Sequence, residues 1–239
     1  MNTNRYPYYG KAMGILLNNT TYPLIPGNVG NATTYPFPVE IKSIKEFPTD
    51  WHCDKRGADG ERLEYFVRAA KGLESEGIKA ITTGCGFYAL FQKRATPYLK
   101  VPLFSSPLLM VPLVYNLVGK KGKIGILTAS SRNLSEAHFD ACNISSSIPI
   151  VIQGMDEYPE FQDVIMKESK SIMDIEVMKN EVVDAAKKLV NNNEDVSALV
   201  FECSDMPPFA KAVYEAVNIP VFDFINMIKF ANEMVITKD

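Results

Sequence analysis

Histidine is nearly absent from this sequence, with only His52 and His138 among 239 residues. That scarcity works against Cys–His catalytic pairs and against metal sites that draw on imidazole. Cysteine is sparse too. Cys53, Cys85, Cys142 and Cys203 form no C-x-x-C pair, so a zinc site would have to gather scattered ligands, and no metal is expected. The first residues, MNTNRYPYYGKAMGILL, lack a cationic segment leading into a long apolar run with a small-residue cleavage site. No signal peptide is therefore expected, and the chain is read as cytoplasmic, without structural disulfides. Long hydrophobic runs are missing as well. Pro102, Pro107 and Pro112 interrupt residues 101–118, so no membrane span is expected. An excess of positive charge is also lacking, since the net charge is −3. Neither nucleic acid nor a membrane surface is an expected partner.

What is present is an ordinary globular composition, 46% apolar and 22% charged, in a chain long enough for one large domain or two small ones. Strand-like apolar runs stand at 13–17, 78–83, 101–104, 123–128, 148–152, 196–201 and 221–222. Helical spacing is expected over 61–76, ending before Gly77, and over 87–94, 108–118, 131–141, 175–191, 206–217 and 224–235. Strands alternating with helices imply βαβ units and a mainly parallel sheet. Residues 22–38 carry four prolines and two glycines. They read as a long loop of the kind that often bears function.

The alternation contains a repeat. KAITTGCGFYALFQ…VPLF (79–104) and SALVFECSDMPPFAK…IPVF (197–222) superimpose without a gap. Ala80, Cys85, Phe91, Pro102 and Phe104 fall on Ala198, Cys203, Phe209, Pro220 and Phe222. A weaker match joins MGILL (13–17) to IGILT (124–128). Such duplication predicts an α/β fold of two similar flavodoxin-like, parallel-sheet domains related by a pseudo-twofold axis, with the active site in the cleft between them. Residues 1–105 plus 223–239 would form the first domain and 106–222 the second, the last helix crossing back to the first half.

Each paired cysteine follows a strand and precedes a helix, so each is expected at the carboxyl end of a parallel strand, where open α/β sheets form their crevices. Backbone N–H groups there would favour a thiolate and could hold a substrate carboxylate. Two thiols on opposite walls suit proton transfer at one carbon, one removing a proton while the other delivers one. The flanking groups are Thr82, Thr83 and Gly84 on one side and Glu202, Ser204 and Asp205 on the other; hydroxyls and amides there would stabilise an enolate-like intermediate. Cys53, Cys142, His52 and His138 have no counterparts and are read as structural or incidental.

MGILLNNTTYPLIPGNVGNATTYPFPV (13–39), TTGCGF (82–87), GILTASS (125–131) and FECSDMPP (201–208) resemble the aspartate/glutamate racemase superfamily. That superfamily also includes hydantoin racemases, maleate isomerases and arylmalonate decarboxylases. The resemblance implies two-base racemisation without pyridoxal phosphate, metal or other cofactor, with Cys85 and Cys203 as the acid/base pair. It makes Thr83, Thr128, Ser130 and Ser204 candidates for holding the substrate carboxylate; Asn18, Gly84, Gly86 and Ser131 complete the candidate substrate-binding set. Two departures stand out: Asn18–Asn19 replace the acidic residue of glutamate racemases after the first strand, and Ser204–Asp205 replace their histidine after the second cysteine. For a second substrate carboxylate the nearest cations in sequence are Arg132 and Lys11.

The expected function is a cofactor-independent racemase of a small aspartate- or glutamate-like amino acid, a small carboxylate being its partner and a homodimer being left open. The alternatives are a hydantoin racemase, a cysteine-dependent isomerase or decarboxylase, and a non-catalytic small-molecule binding protein. A cysteine hydrolase is disfavoured because no histidine lies in either cysteine motif.

Overall fold

The structure is a computed structural model describing residues 10–44 and 58–236. The expectations for His52 and Cys53 lie outside these residues. Eight strands build two sheets, and every neighbouring pair is parallel. The first sheet has the order β2-β1-β3-β4, from β1 (Met13–Leu17), β2 (Val39–Ser43), β3 (Ala80–Thr83) and β4 (Leu103–Phe104). The second has the order β6-β5-β7-β8, from β5 (Lys123–Thr128), β6 (Ile150–Gly154), β7 (Val196–Phe201) and β8 (Val221–Phe222). The fold is α/β, two parallel sheets of the same strand order flanked by helices.

The helices are α1 (Glu61–Ser75), α2 (Phe91–Ala95), α3 (Val111–Leu117), α4 (Glu136–Ala141), α5 (Pro159–Phe161), α6 (Ile175–Asn191), α7 (Ala210–Val217) and α8 (Phe224–Val235). In α6, Asp174 accepts from the N–H groups of Glu176 and Val177 at its start. Met178, Val182, Ala185, Ala186 and Leu189 then recur every three to four residues as its buried stripe. The helix α1 buries Phe66, Ala70 and Leu73 in the same way and gives way to Gly77, which takes the left-handed φ of 90°. Phe66 stacks on Phe91 with ring centroids 4.4 Å apart, fixing α1 against α2.

Five segments differ from the sequence expectation. Over 131–141 only Glu136–Ala141 is helical, because Ser130 and Ser131 bond Asp156 and Ser135, in a capping box with His138, starts the helix instead. Gly86–Leu90 and Pro107–Met110 are 3-10 turns leading into α2 and α3; Pro112 sits in the first turn of α3, where its missing N–H costs nothing. The strand β2 and the segment from α5 through the π-helical turn Gln162–Met166 had no counterpart in the sequence reading.

The repeat survives at the level of single hydrogen bonds. Gly84 N–H donates to Leu16 O at 2.8 Å, as Glu202 N–H does to Leu127 O at 2.8 Å. Ile81 and Leu199 likewise donate to Pro102 O and Pro220 O. Ile44 and Met155 donate to Leu17 O and Thr128 O. The last helix, α8, buries Phe224, Met227, Ile228 and Ala231 with Met13, Ile15 and Ala80 of the first sheet. Asp223 starts it by accepting from Asn226 N–H at 2.9 Å.

Candidate active site

In each sheet the chain leaves the first strand for one neighbour and returns on its other side, so a crevice opens at the carboxyl ends of β1 and β3 and, in the second sheet, of β5 and β7. The two crevices face each other across one cleft. Asn18, Thr20 and Tyr22 enter it after β1, Gly84, Cys85, Gly86 and Phe87 after β3, and Ala129 after β5. Glu202, Cys203, Ser204 and Asp205 enter after β7, while Ile165, Met166 and Glu168 come from the π-helical turn and the residues beyond it. The halves are in contact at this point. Ser204 Oγ donates to Gly84 O at 2.6 Å, and a Cβ on Gly86 would stand 2.0 Å from Glu202 O, so only glycine fits there.

Both paired cysteines line the cleft, 8% and 6% exposed. Their positions match, but their flanks do not. Gly84, Gly86 and Phe87 of the first half correspond to Glu202, Ser204 and Asp205 of the second. All the charge at the cysteines therefore lies on one wall. The Cys203 thiol donates to Asp205 Oδ2 at 3.7 Å. Asn28 Nδ2 donates to Asp205 Oδ1 at 2.6 Å and Tyr22 O–H to Oδ2 at 3.2 Å. Burial raises the Asp205 carboxyl above the usual carboxylate range, and these donors offset part of that rise. Burial, with Asp205 and Glu202 close by, pushes Cys203 well up. Cys203 is thus held as a thiol, and the partial thiolate expected from a helix N-terminus does not arise there. The nearest helical turn, Pro207–Phe209, begins too far along the chain to offset the carboxylates.

Among the candidate substrate-binding residues, Asn18, Gly84, Gly86 and Ser204 line the cleft, whereas Thr83, Thr128, Ser130 and Ser131 do not. Their hydroxyls serve the protein instead. Thr83 donates to Ser105 O at 2.7 Å, Thr128 to Glu202 Oε2 at 2.8 Å, and Ser130 and Ser131 to Asp156 at 2.7 and 2.8 Å. Arg132 and Lys11 stand away from the cleft, exposed beside Asp156 and Glu40. His138 and Cys142 are buried, and Cys142 belongs to the core. Among the described residues, no group of three or more His, Cys, Asp and Glu side chains is arranged to hold a metal. Nor is any helix there long and apolar enough to cross a membrane.

Sequence reasoning missed Tyr22, Asn28 and Glu168 as site residues. The loop of residues 22–38 did carry a signal, since its prolines and glycines marked it as a functional segment. Glu168 had none: Thr21 bonds it through N–H and hydroxyl at 3.2 and 2.7 Å, from 147 residues away.

No family model matches the chain. Solved structures with the same two-sheet plan include a cysteine mutant of arylmalonate decarboxylase, with a TM-score of 0.60 at 14% identity over 92% of this chain and 93% of that one. Glutamate racemase from Bacillus anthracis gives 0.60 at 14% identity, over 94% and 80%. An aspartate racemase homologue from Pyrococcus horikoshii gives 0.58 at 16%, over 94% and 99%. This is the aspartate/glutamate racemase fold. The superfamily resemblance holds at that level.

Sequence similarity leads to a different set of proteins. A dimethylsulfoniopropionate lyase of Durusdinium sp. clade D is 28% identical over 219 residues, 90% of this chain and 71% of that protein. Two from Emiliania huxleyi are 26% and 25% identical, each over 90% of this chain. The chain spans 64% and 57% of their lengths. The relatives by sequence and by fold are enzymes. The lyase names overturn the expected amino-acid racemase. The cleft supplies the physical reason. A dicarboxylic amino acid wants a basic side chain for its second carboxylate, yet among the described residues no Lys, Arg or His lines the cleft, and three carboxylic side chains do.

Proposed function

We propose that this racemase-fold chain is a lyase that eliminates a neutral thioether from a small β-sulfoniocarboxylate of the dimethylsulfoniopropionate type. The observation that carries this reading is the one-sided charge of the cleft. Glu168, Glu202 and Asp205 line it, among the described residues without a basic partner, beside a buried thiol. Such a site repels dicarboxylates and favours a ligand bearing a cation. The names of the sequence relatives supply the cation's chemistry, a sulfonium.

An elimination needs one base rather than two, and the carboxylate beside Cys203 makes that cysteine the base. Its sulfur takes the proton from the carbon next to the substrate carboxylate, while its own S–H proton passes to Asp205. The C–H electron pair becomes the new C=C bond. The β-carbon–sulfur bond breaks, and its pair leaves on dimethyl sulfide. Acrylate remains, and Asp205 releases one proton to solvent. Charge develops on the substrate carboxylate as the C–H bond breaks. Asn18, whose Oδ1 is held by Tyr88 O–H, offers its N–H donors there, and Thr20 offers a hydroxyl. Cys85 forms the facing wall and takes no proton in this scheme.

The test is incubation of the purified protein with dimethylsulfoniopropionate, with headspace dimethyl sulfide and acrylate measured together. Deuterium on the carbon beside the carboxylate should slow the reaction. Cys203→Ala should lower kcat/KM by about 10³ or more, the upper range of what a positioned base contributes, and Cys85→Ala by much less. A folded wild-type protein that releases no dimethyl sulfide, or a fully active Cys203→Ala, would sink this reading.

A further inference from the structure

Position 202 breaks the symmetry of the repeat with a charge. Its counterpart, Gly84, has no side chain, whereas Glu202, one of the residues lining the cleft, carries a fully buried carboxyl. One oxygen is anchored: Thr128 Oγ1 donates to Oε2 at 2.8 Å, and Ala129 N–H also donates to the carboxyl. The other oxygen, Oε1, has no hydrogen-bond partner among the described residues. Gly86 packs against that side, and only a glycine can stand there, since a Cβ would fall 2.2 Å from Oε1. A buried carboxylate oxygen without a donor or counter-ion is costly unless something else supplies the charge.

We propose that Glu202 is a specificity-determining residue, the counter-charge that selects a permethylated onium head, sulfonium or quaternary ammonium, over a neutral group of the same shape. This rests on the lyase reading for the rest of the ligand. A permethylated onium carries no N–H, so it needs a nearby negative charge and apolar walls rather than a set of acceptors. Phe87, Ile165 and Met166 supply those walls. A primary ammonium would need about three acceptors, and Oε1 is a single unclaimed one. Burial, offset in part by the bonds from Thr128 and Ala129, leaves the Glu202 carboxyl raised to about 7, so a cation arriving beside it favours the ionised form it would otherwise resist.

The experiment compares three ligands by calorimetry at pH 8: β-trimethylammoniopropionate, the neutral carboxylate with a tert-butyl group in its place, and β-alanine. The wild-type protein should bind the quaternary ammonium at least about 30-fold tighter than either of the others, as expected for a charge paired in a desolvated site. Glu202→Gln should bring the preference over the tert-butyl ligand below about threefold, while Asp205→Asn and Glu168→Gln keep most of it. A wild-type preference near one overturns the proposal, and so does a preference retained by Glu202→Gln or lost instead in either of the other variants. Because the wild-type ratio and those two variants decide the matter, a Glu202→Gln protein that failed to fold would not shield it. Release of dimethyl sulfide is scored separately. A protein that cleaves the sulfonium substrate without preferring the onium ligand keeps the lyase reading and loses Glu202; one that prefers the onium ligand but releases no dimethyl sulfide does the reverse.

Discussion

At Cys203 the surroundings decide the chemistry more than the sulfur does. A thiol buried beside two carboxylic side chains resists ionisation, so it can act as a base only if its proton has somewhere to go. Asp205 is that acceptor, and its readiness depends on Asn28 and Tyr22, which hold its two oxygens at 2.6 and 3.2 Å. Asp205→Asn removes the acceptor while keeping the shape. It should cost about 10²–10³ in kcat and move the rise of activity toward alkaline pH, read from a full pH–rate profile. Asn28→Ala should cost more than Tyr22→Phe, because it removes the shorter bond and leaves a buried oxygen without its donor. An equal or reversed ranking in kcat/KM would mean that Asp205 is held some other way. The paired cysteines were legible in the sequence because a gapless repeat exposes them. Their partners were not, because Asn28 and Tyr22 meet Asp205 across 177 and 183 residues, and a single sequence carries no mark of which loop reaches which strand end.

Among the elements, the loop of residues 22–38 does the bridging. It leaves the first sheet after β1 and meets the second half at Asp205 and Pro208. Gly27 makes the closest approach: its φ is 96°, and a Cβ would stand 2.9 Å from Pro208 Cα, a backbone atom that cannot swing aside. Gly27→Ala should destabilise the protein by about 1–3 kcal/mol in urea unfolding. It should also lower activity further by drawing Asn28 and Tyr22 off Asp205, whereas activity unchanged against a clear stability loss would separate the loop from the site. The central strands could be read from sequence because burial on both faces makes them continuous apolar runs; β3 is AITT with every residue buried. The edge strand β2, VEIKS, is partly exposed along its length and carries a charge at alternate positions, so its composition matches a surface loop as well as a strand. The π-helical turn Gln162–Met166 defeats a 3.6-residue period by construction, and with it went the wall that brings Ile165, Met166 and Glu168 to the cleft.

For the molecule as a whole, duplication builds a symmetric scaffold, and function enters where the copies stop matching. The cost of that mismatch should appear in stability as well as in binding. The Glu202 carboxyl is raised from the ordinary 4.5 to about 7 by burial, so the native state holds its proton where the unfolded chain has already lost it. For a carboxyl raised in this direction, the stabilising contribution is full below about 4.5 and is lost as pH climbs through about 7. Asp223, raised to about 6, acts in the same sense, while His138, lowered to about 4, acts oppositely by costing stability as pH falls below its ordinary 6.5. Glu202→Gln removes only the first of these. In the ligand-free protein it should stabilise by about 3 kcal/mol at pH 8 and by less than about 1 kcal/mol at pH 5, measured by denaturant unfolding of both proteins at each pH. Equal gains at the two pH values would mean that the variant acts through packing. A loss at pH 8 would mean that the Glu202 charge is already compensated in the empty cleft, leaving nothing for a cationic ligand to supply.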